Sequence, residues 1–336
     1  MSASPSLDVL EARNPNQSGT TRAPRSVLRI PALLLALAVF AGACGGSDGA
    51  DPAPAGDAAP GGDETFTIGA IPDQDPEVLQ RLYGTVADHL AEELGVTVEY
   101  VPVTDYAASV TLFRTGDLDM VWFGGLTGAQ ARLQVDGAEA IVQRGIDENF
   151  HSVFIANTAS GIGPIEDVAG LSALAGTRFT FGSESSTSGR LMPQFFLGEA
   201  GTTPEDFDGP PGFSGSHDTT IELVEAGTYE AGVLNEQVWT SRVEAGEVDL
   251  SKVDVVFRTP AYHDYHWVIR PDVAETFGDD FVADVTAAFL DLDLADPADA
   301  EILELFGAEE FVETDNDNYG QIEEVARELE LIGADG

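Results

Sequence analysis

The sequence predicts an α/β protein with two lobes and a ligand cleft between them. Two stretches that alternate strand-like and helix-like patterns, one starting near residue 65 and one near residue 165, support this prediction. Where the two patterns alternate, parallel strands with helices on their faces are expected. The length of 336 residues also fits two domains of roughly 150 residues each.

The composition is that of a globular chain with a very acidic surface. It contains 59 acidic and 15 basic side chains, a formal net charge of −44, and 43% of its residues are hydrophobic. Such a negative charge argues against nucleic acid or an anionic membrane surface as a partner. A small anion must therefore be held by local hydrogen-bond donors, against the long-range repulsion of the protein.

Residues 1–44 are predicted to be a signal peptide. Four arginines precede an apolar run at residues 30–40, and small residues then lead to Cys44. Ala41-Gly-Ala-Cys44 resembles a bacterial lipobox and predicts lipidation at Cys44, with an ordinary cleaved secretory signal as the alternative. Because Cys44 is the only cysteine, disulfides and thiol catalysis are not expected in the mature protein. Residues 45–63, rich in Gly, Ala, Pro and Asp, are predicted to be a flexible tether.

The first α/β run begins with an alternating strand at residues 65–71. Asp75 and Pro76 then open a helix as N-cap and first-turn proline, and apolar residues at helical spacing continue it to Gly95. The elements expected next are a strand at 96–101, a helix ending at Gly116, and strands at 118–123, 138–142 and 151–156.

The second run is expected to carry strands at 178–181, 229–234 and 253–257, and helices fill the tail at 280–292, 297–306 and 319–331. We place the first lobe at residues 64–157 and 260–336 and the second lobe at residues 158–259. The chain would then cross twice between the lobes, with hinges near residues 157–163 and 257–260.

The strand at 178–181 is followed by Gly182-Ser-Glu-Ser-Ser-Thr-Ser-Gly-Arg190 and then by a short helix. Proline is tolerated only near a helix start, so Pro193 places that start close to Ser188. Unpaired N–H groups and the helix dipole at such a start favour an anion. The alternative is a capped helix that binds nothing, and Arg190 pairs either with the anion or with a nearby carboxylate.

Several other polar or aromatic side chains also follow predicted strands. Topology would gather the ends of these strands at one cleft, where hydroxyls, N–H groups and a histidine could bind a tetrahedral oxyanion. The candidates derived from these positions are Tyr106, Trp122, Ser185, Ser186, Thr187, Ser188, His217 and Glu236.

An enzyme or a metal carrier would need a different use of these residues. No G-x-S-x-G or Walker motif is present, and a serine hydrolase would rest on Ser188 and His217 alone. A transition-metal site would draw on His151, His217, His263, His266 and Asp264. We expect no enzyme activity, no cofactor and no metal.

Four segments together resemble the phosphate/phosphite/phosphonate-binding proteins of ABC importers. They lie at residues 103–107, 116–123, 182–190 and 215–217, and the similarity runs from about residue 65 to residue 330. Within that family, residues 181–192 and 264–267 are most similar to the branch labelled as selenate transporter binding proteins.

The resemblance implies a type II periplasmic-binding fold that closes on its anion. It implies an extracytoplasmic monomer, anchored through Cys44 to the outer face of the cytoplasmic membrane, that serves an ABC permease and ATPase. By motif match, Tyr106, Trp122, residues 186–188 and His217 line the site, and Glu236 and Asp264 are acids that meet a protonated ligand group. If Glu236 points inward, phosphonate-type ligands should bind more tightly than selenate, which carries no proton near neutral pH; if it points to solvent, that argument lapses.

Overall fold

The computed structural model describes residues 64–333. The predicted signal peptide, the lipidation site at Cys44 and the tether at residues 45–63 lie outside the described residues.

Eleven strands form two sheets in this part of the chain. They are β1 (Thr65–Ala70), β2 (Thr97–Tyr100), β3 (Met120–Phe123), β4 (Glu139–Arg144), β5 (Ser152–Asn157), β6 (Phe179–Phe181), β7 (Gly212–Phe213), β8 (Ala231–Asn235), β9 (Val253–Arg258), β10 (His266–Ile269) and β11 (Phe311–Glu313). The first sheet has the order β11-β4-β10-β3-β1-β2 and the second the order β7-β6-β8-β5-β9. β1 pairs in parallel with β2 and β3, as the alternating pattern predicts, whereas β10 and β11 pair antiparallel with their neighbours.

Ten α-helices cover the sheets of the described chain. They are α1 (Pro76–Leu94), α2 (Tyr106–Thr115), α3 (Gly125–Gln134), α4 (Met192–Glu199), α5 (His217–Glu225), α6 (Glu236–Glu244), α7 (Val273–Phe277), α8 (Phe281–Leu290), α9 (Pro297–Phe306) and α10 (Gly320–Glu328). Within residues 64–333, no helix is both long enough and apolar enough to span a bilayer.

Helix α1 shows how local sequence sets these elements. The Asp75 side chain accepts a hydrogen bond from the N–H of Glu77 at 2.8 Å, and Gly95 ends the helix with a φ of 66°. Leu82, Val86 and their neighbours at helical spacing are buried against the first sheet. Each such buried side chain contributes about 1.5–3 kcal/mol relative to an exposed one.

The boundary between the lobes differs from the prediction. Strand β5 was assigned to the first lobe, but it pairs antiparallel with β8 and β9 and therefore belongs to the second sheet. The first crossing is residues 145–151, not the predicted hinge at 157–163, and the second crossing is residues 259–265. The apolar pattern of a short strand indicates that the strand is buried, but it does not specify which strands it pairs with. The sequence alone therefore could not assign β5 to a sheet.

The two lobes are in contact along the cleft. The Leu126 N–H of α3 donates to Thr187 Oγ1 at 2.9 Å, and the His217 N–H of α5 donates to the Asp73 carbonyl at 2.9 Å. At the edge of the cleft, the Asp75 N–H donates to Asp218 Oδ2 at 2.7 Å. The structure is thus closed, and the residues that line the cleft are buried.

Candidate functional site

The serine-rich loop forms a tight turn at the start of α4. Residues Thr187–Leu191 make a single π-helical turn, and the N-cap Ser186 accepts the Gly189 N–H on Oγ at 2.9 Å. A Cβ on Gly182 would lie 3.1 Å from the Gly189 Cα, so the close approach of these two backbone segments favours glycine. The first N–H groups of a helical turn have no acceptor within it, and here they belong to Thr187 and Ser188.

The hydroxyls of this turn differ in their contacts. Ser188 is 1% exposed, and its Oγ has no hydrogen-bond partner in the described chain. Thr187 Oγ1 accepts the Leu126 N–H, and Ser186 Oγ caps the turn. Ser185 is only half-buried, at the rim of the turn. Ser188 is therefore the hydroxyl of this turn that remains free for a ligand.

Asp264, which the resemblance implicated, is held at the N-terminus of α3. Its Oδ1 accepts the Gly125 N–H at 2.9 Å, and its buried Oδ2 has no partner among residues 64–333. A Cβ on Gly124 would lie 3.1 Å from Thr187 Oγ1 and 3.2 Å from Asp264 Oδ1, so glycine permits this close approach. Burial raises the pKa of Asp264 to about 7, against the lowering effect of the Gly125 hydrogen bond.

A second acid, Asp73, follows β1 and was missed from the sequence. Its Oδ2 accepts the Tyr265 hydroxyl at 2.9 Å, while its buried Oδ1 has no partner within the described residues. Burial raises the pKa of Asp73 to about 7, although the Tyr265 hydrogen bond lowers it. Its position at the carboxyl end of β1 is the signal that could have found it, among 59 acidic residues.

His217 lies in the cluster, but it does not offer a free ring nitrogen to a ligand. Its Nε2 lies 3.2 Å from the Tyr265 hydroxyl, and its Nδ1 accepts the Asn235 N–H at 3.4 Å. Burial lowers the pKa of His217 to about 3, so the ring is neutral. Both nitrogens have protein partners in this structure, so the role of His217 as a direct donor to the anion stays a prediction.

Tyr106 and Trp122 are both buried and differ in their contacts. Tyr106 begins α2, and its buried hydroxyl has no partner in the described chain. Burial, and after it the charge of Asp73, raises the pKa of Tyr106 well above its usual 10. Trp122 stacks on Tyr265, with 5.9 Å between the ring centroids.

Arg144, at the end of β4, is a buried cation that sequence reasoning also missed. Its guanidinium pairs with Asp147 at 2.7 Å and lies 5.4 Å from the centre of the Trp122 ring. Its charge lowers the pKa of Asp73 and of Asp264, partly offsetting their burial. Its ion pair with Asp147 is local, but its contacts with Trp122 and with the Phe306 carbonyl come from distant parts of the chain, so no local motif places it beside the acids.

Glu236 and Arg190 do not reach the cluster. Glu236, predicted to bind the ligand, forms a two-pronged ion pair with Arg258 at the surface, with Arg258 Nη2 donating to Glu236 Oε2 at 2.7 Å. The start of α6 directs the Glu236 side chain toward β9 and solvent, so this geometry does not support its predicted contact with the ligand. Arg190 donates to the Glu184 carbonyl at 2.7 Å and lies over the Phe213 ring.

The two alternative sites find no support in the geometry. Among residues 64–333, no group of three or more His, Cys, Asp or Glu side chains is placed to hold a metal ion. His266 instead stacks on Tyr319, with 3.7 Å between ring centroids, and contacts Arg132. A serine hydrolase would need the ring of His217 to accept from Ser188, but its nitrogens contact Tyr265 and Asn235.

Four buried oxygen atoms therefore define the candidate site: Asp73 Oδ1, Tyr106 Oη, Ser188 Oγ and Asp264 Oδ2. Buried polar groups in folded proteins almost always have a hydrogen-bond partner, so four that have none among residues 64–333 indicate a candidate position for a ligand or ordered water. The hydroxyls of Tyr106 and Ser188 and the amides of the π-helical turn supply hydrogen-bond donors. The two carboxyls, whose pKa values are raised, can share protons with a bound ligand. This combination suits a small oxyanion that itself carries a proton.

Comparison with known proteins agrees with this chemistry. Residues 68–319 match the family described as "ABC transporter, phosphonate, periplasmic substrate-binding protein". The chain is 45% identical over 270 residues to the "Probable ABC transporter phosphite binding protein PhnD1" of Prochlorococcus marinus, covering 80% of this chain and 91% of that protein. It is 27% identical over 237 residues to the "Phosphate-import protein PhnD" of Mycolicibacterium smegmatis, covering 66% of this chain and 70% of that protein.

Solved structures show the same relationship. The structure of PhnD1 from Prochlorococcus marinus in complex with methylphosphonate matches with a TM-score of 0.79 and 44% identity, covering 80% of this chain and 99% of that chain. A binding protein component of an ABC phosphonate transporter from Pseudomonas aeruginosa shares the fold, with a TM-score of 0.65 at 19% identity, over 78% of this chain and 85% of that chain.

The chain belongs to the family of periplasmic substrate-binding proteins of phosphonate ABC transporters. The predicted two-lobed type II fold is thereby confirmed, as is the prediction that the protein is a binding protein and not an enzyme. Its place is extracytoplasmic, and it works with the permease and ATPase of an importer.

Proposed function

We propose that this chain binds singly protonated phosphite or a small phosphonate between its lobes. The anion accepts hydrogen bonds from the Ser188 hydroxyl, the Tyr106 hydroxyl and the N–H groups of Thr187 and Ser188. Asp73 faces it from the first lobe and Asp264 from the second crossing. Closure of the lobes on the anion retains it for delivery to the permease, and the hydrogen bond from the Leu126 N–H of α3 to Thr187 Oγ1 supports such closure.

The single observation that carries the proposal is the pair of buried carboxyls with unpartnered oxygens. A carboxylate next to an oxyanion is repulsive unless a proton lies between them. Asp73 and Asp264 both have pKa values raised to about 7, so each can hold or accept that proton near neutral pH. The relative from Prochlorococcus marinus, whose printed name and structure refer to phosphite and methylphosphonate, supports the same ligand class.

The same reasoning disfavours selenate and sulfate. Glu236 does not supply this preference, because its side chain points to solvent and pairs with Arg258. Asp73 and Asp264 replace it, since a fully deprotonated dianion would have to bind with both acids protonated. We therefore expect phosphite, phosphonates and phosphate, which keep a proton near neutral pH, to bind more tightly than sulfate and selenate.

A calorimetric panel tests the proposal. The purified protein is titrated at pH 7 with phosphite, methylphosphonate, phosphate, sulfate and selenate. We expect phosphite or methylphosphonate to bind at least tenfold more tightly than sulfate or selenate, about 1.4 kcal/mol or more. Tighter binding of selenate, or no binding of any of these anions, contradicts the proposal.

We further propose that Cys44 carries a lipid that tethers the folded part, as a monomer, to the outer face of the cytoplasmic membrane. The support is the sequence Ala41-Gly-Ala-Cys44 followed by the tether at residues 45–63. Replacing Cys44 by serine should move the protein from the membrane fraction to the soluble extracytoplasmic fraction; an unchanged distribution would rule out the anchor.

A further inference from the structure

Tyr265, in the second crossing between the lobes, joins polar groups from both sides of the cleft. The residue is 3% exposed and belongs to neither sheet. Its hydroxyl lies 2.9 Å from Asp73 Oδ2 of the first lobe, and 3.2 Å from His217 Nε2 and 3.0 Å from Asn235 Nδ2 of the second. It is therefore a single atom through which closure of the second lobe can act on an acid of the first.

The direction of each hydrogen bond follows from the partners. Asn235 Oδ1 accepts the Val238 N–H at 2.6 Å, so the amide nitrogen of Asn235 points to Tyr265 as a donor. His217 Nδ1 accepts the Asn235 N–H, so the proton of the neutral ring is on Nε2, which donates to Tyr265. With both lone pairs of its oxygen used, Tyr265 gives its one proton to Asp73 Oδ2.

This chain of hydrogen bonds leaves one oxygen of Asp73 for the ligand. Because Oδ2 accepts from Tyr265, any proton shared with the anion must lie on Oδ1, the atom without a protein partner in the described chain. Hydrogen bonds in a chain polarise one another, so donation from His217 and Asn235 strengthens the bond from Tyr265 to Asp73. Both donors come from the second lobe, and in this closed structure both reach Tyr265.

Other ionisable groups also surround Asp73. Besides Tyr265 and the neutral His217, those that interact with it are Asp218 on α5, Arg144 at the end of β4, Tyr83 on α1, Tyr100 at the end of β2 and Tyr106 on α2. Burial and Asp218 raise the pKa of Asp73, and Tyr265 and Arg144 lower it. Of the groups that lower it, only Tyr265 bridges the acid to the second lobe by its hydroxyl.

We propose that Tyr265 is a positioning residue that presents one oxygen of Asp73 to the bound anion and sets, on closure, the pH above which that acid repels the ligand. The inference rests on the proposed oxyanion function. It identifies the second crossing as part of the binding machinery, through the hydrogen bond from Tyr265 to Asp73.

The test is the pH dependence of methylphosphonate affinity, measured by calorimetry from pH 6 to pH 9, in the full-length protein and in Tyr265→Phe. In the parent protein, affinity should fall as pH rises through about 7, because ionised Asp73 repels the anion. Loss of the hydroxyl removes an interaction that favours ionised Asp73, so the fall should move to higher pH by about one unit. The titration of the ligand itself and of Asp264 is common to both proteins and cancels in the comparison.

Two variants separate positioning from a general structural effect. Tyr262→Phe removes another buried hydroxyl of the same crossing, which contacts Ser152 and not Asp73, and should leave the pH of the fall unchanged. In an Asp73→Asn background, Tyr265→Phe should no longer change the pH at which methylphosphonate affinity decreases. A shift of equal size in Tyr262→Phe, or a shift that persists without Asp73, would overturn the inference.

Tyr265→Phe also strands two buried donors, so a second change keeps the test valid if that variant does not fold. Incorporation of 3-fluorotyrosine at position 265 preserves shape and hydroxyl but makes the hydroxyl a stronger donor, and should move the fall to lower pH. If the parent protein binds methylphosphonate but 3-fluorotyrosine leaves the pH of the affinity decrease unchanged, the inference is overturned. If the parent protein does not bind methylphosphonate at all, the proposed function is refuted instead.

Discussion

The two faces of the cleft hold different chemistry. The second lobe contributes hydroxyl and amide donors on one continuous turn, residues 186–188, whose shape is made by its own glycines and N-cap. The first lobe contributes Asp73 and the second crossing contributes Asp264, two acids that are fixed by contacts from Tyr265 and Gly125. Tyr106 on α2 adds one hydroxyl on the side of Asp73. Donors of this kind stabilise an oxyanion whatever its protonation state, whereas acids stabilise it only when a proton is shared.

This difference assigns separate tasks to the donors and to the acids. Affinity for oxyanions in general should depend on the turn at residues 186–188 and on Tyr106, and selection among oxyanions should depend on Asp73 and Asp264. Variants on each face therefore ought to have distinct signatures, which the following substitutions test.

The largest effect is expected for Ser188→Ala. Loss of a hydrogen bond to a charged group costs about 1.5–3 kcal/mol, so the Kd should rise by about tenfold to a hundredfold. The loss of affinity should be similar for phosphite, phosphonate and phosphate, because the hydrogen bond from this hydroxyl does not depend on the protonation state of the ligand. Titration of the same panel measures this effect.

Ser185→Ala is the matched control, because this half-buried serine sits beside the turn. Its Kd should change by less than about threefold, within the range of neutral surface substitutions. The unliganded Ser188→Ala protein should keep its unfolding temperature, since Ser188 Oγ has no protein partner in the described chain to lose. A large drop in that temperature would indicate that the turn is only a structural cap.

A smaller effect, on selectivity, is expected for Asp264→Asn. The amide of asparagine can donate to a deprotonated oxygen, which a carboxylate cannot, and it removes a group that must otherwise be protonated. The preference for methylphosphonate over sulfate should narrow by about tenfold, or about 1.4 kcal/mol. If the affinities for methylphosphonate and sulfate decrease equally, so that their ratio is unchanged, Asp264 does not discriminate between ligands by their protonation state.

The smallest effect is expected for Glu236→Gln, an acid of similar sequence context on the outside of the second lobe. Exposed ion pairs such as that of Glu236 with Arg258 contribute about 0–1 kcal/mol to stability, and this pair does not reach the buried oxygens. Affinity and the methylphosphonate-to-sulfate ratio should both stay within about twofold of the parent. A change in the ratio comparable with that of Asp264→Asn would place Glu236 in the site after all.

The contrast between Glu236 and Asp73 also shows how far the sequence reaches. Both acids lie just beyond the carboxyl end of a strand, and the sequence singled out Glu236. Strand β5 lies between β8 and β9 in the second sheet, which brings Arg258 at the end of β9 beside Glu236 at the end of β8. The direction in which an acid points therefore depended on strand pairing, which alternation of apolar residues does not encode.

The sequence by itself determined the features that depend on neighbours along the chain. These are the strand-turn-helix unit at residues 178–199, the amide and hydroxyl donors at its centre, the parallel pairing of β1 with β2 and β3, and the family to which the motifs point. Each follows from periodicity, glycine and proline placement or capping, which act over a few residues.

Only the tertiary structure decided which acids face the ligand and which proton states they hold. The pKa values of Asp73 and Asp264 are raised by burial, and burial exists only when α3, α5 and the two crossings come together. Tyr265, His217 and Asn235 are likewise linked by contacts across the closed cleft. Desolvation and long-range hydrogen bonds are properties of the assembled lobes, so no local reading of the chain contains them.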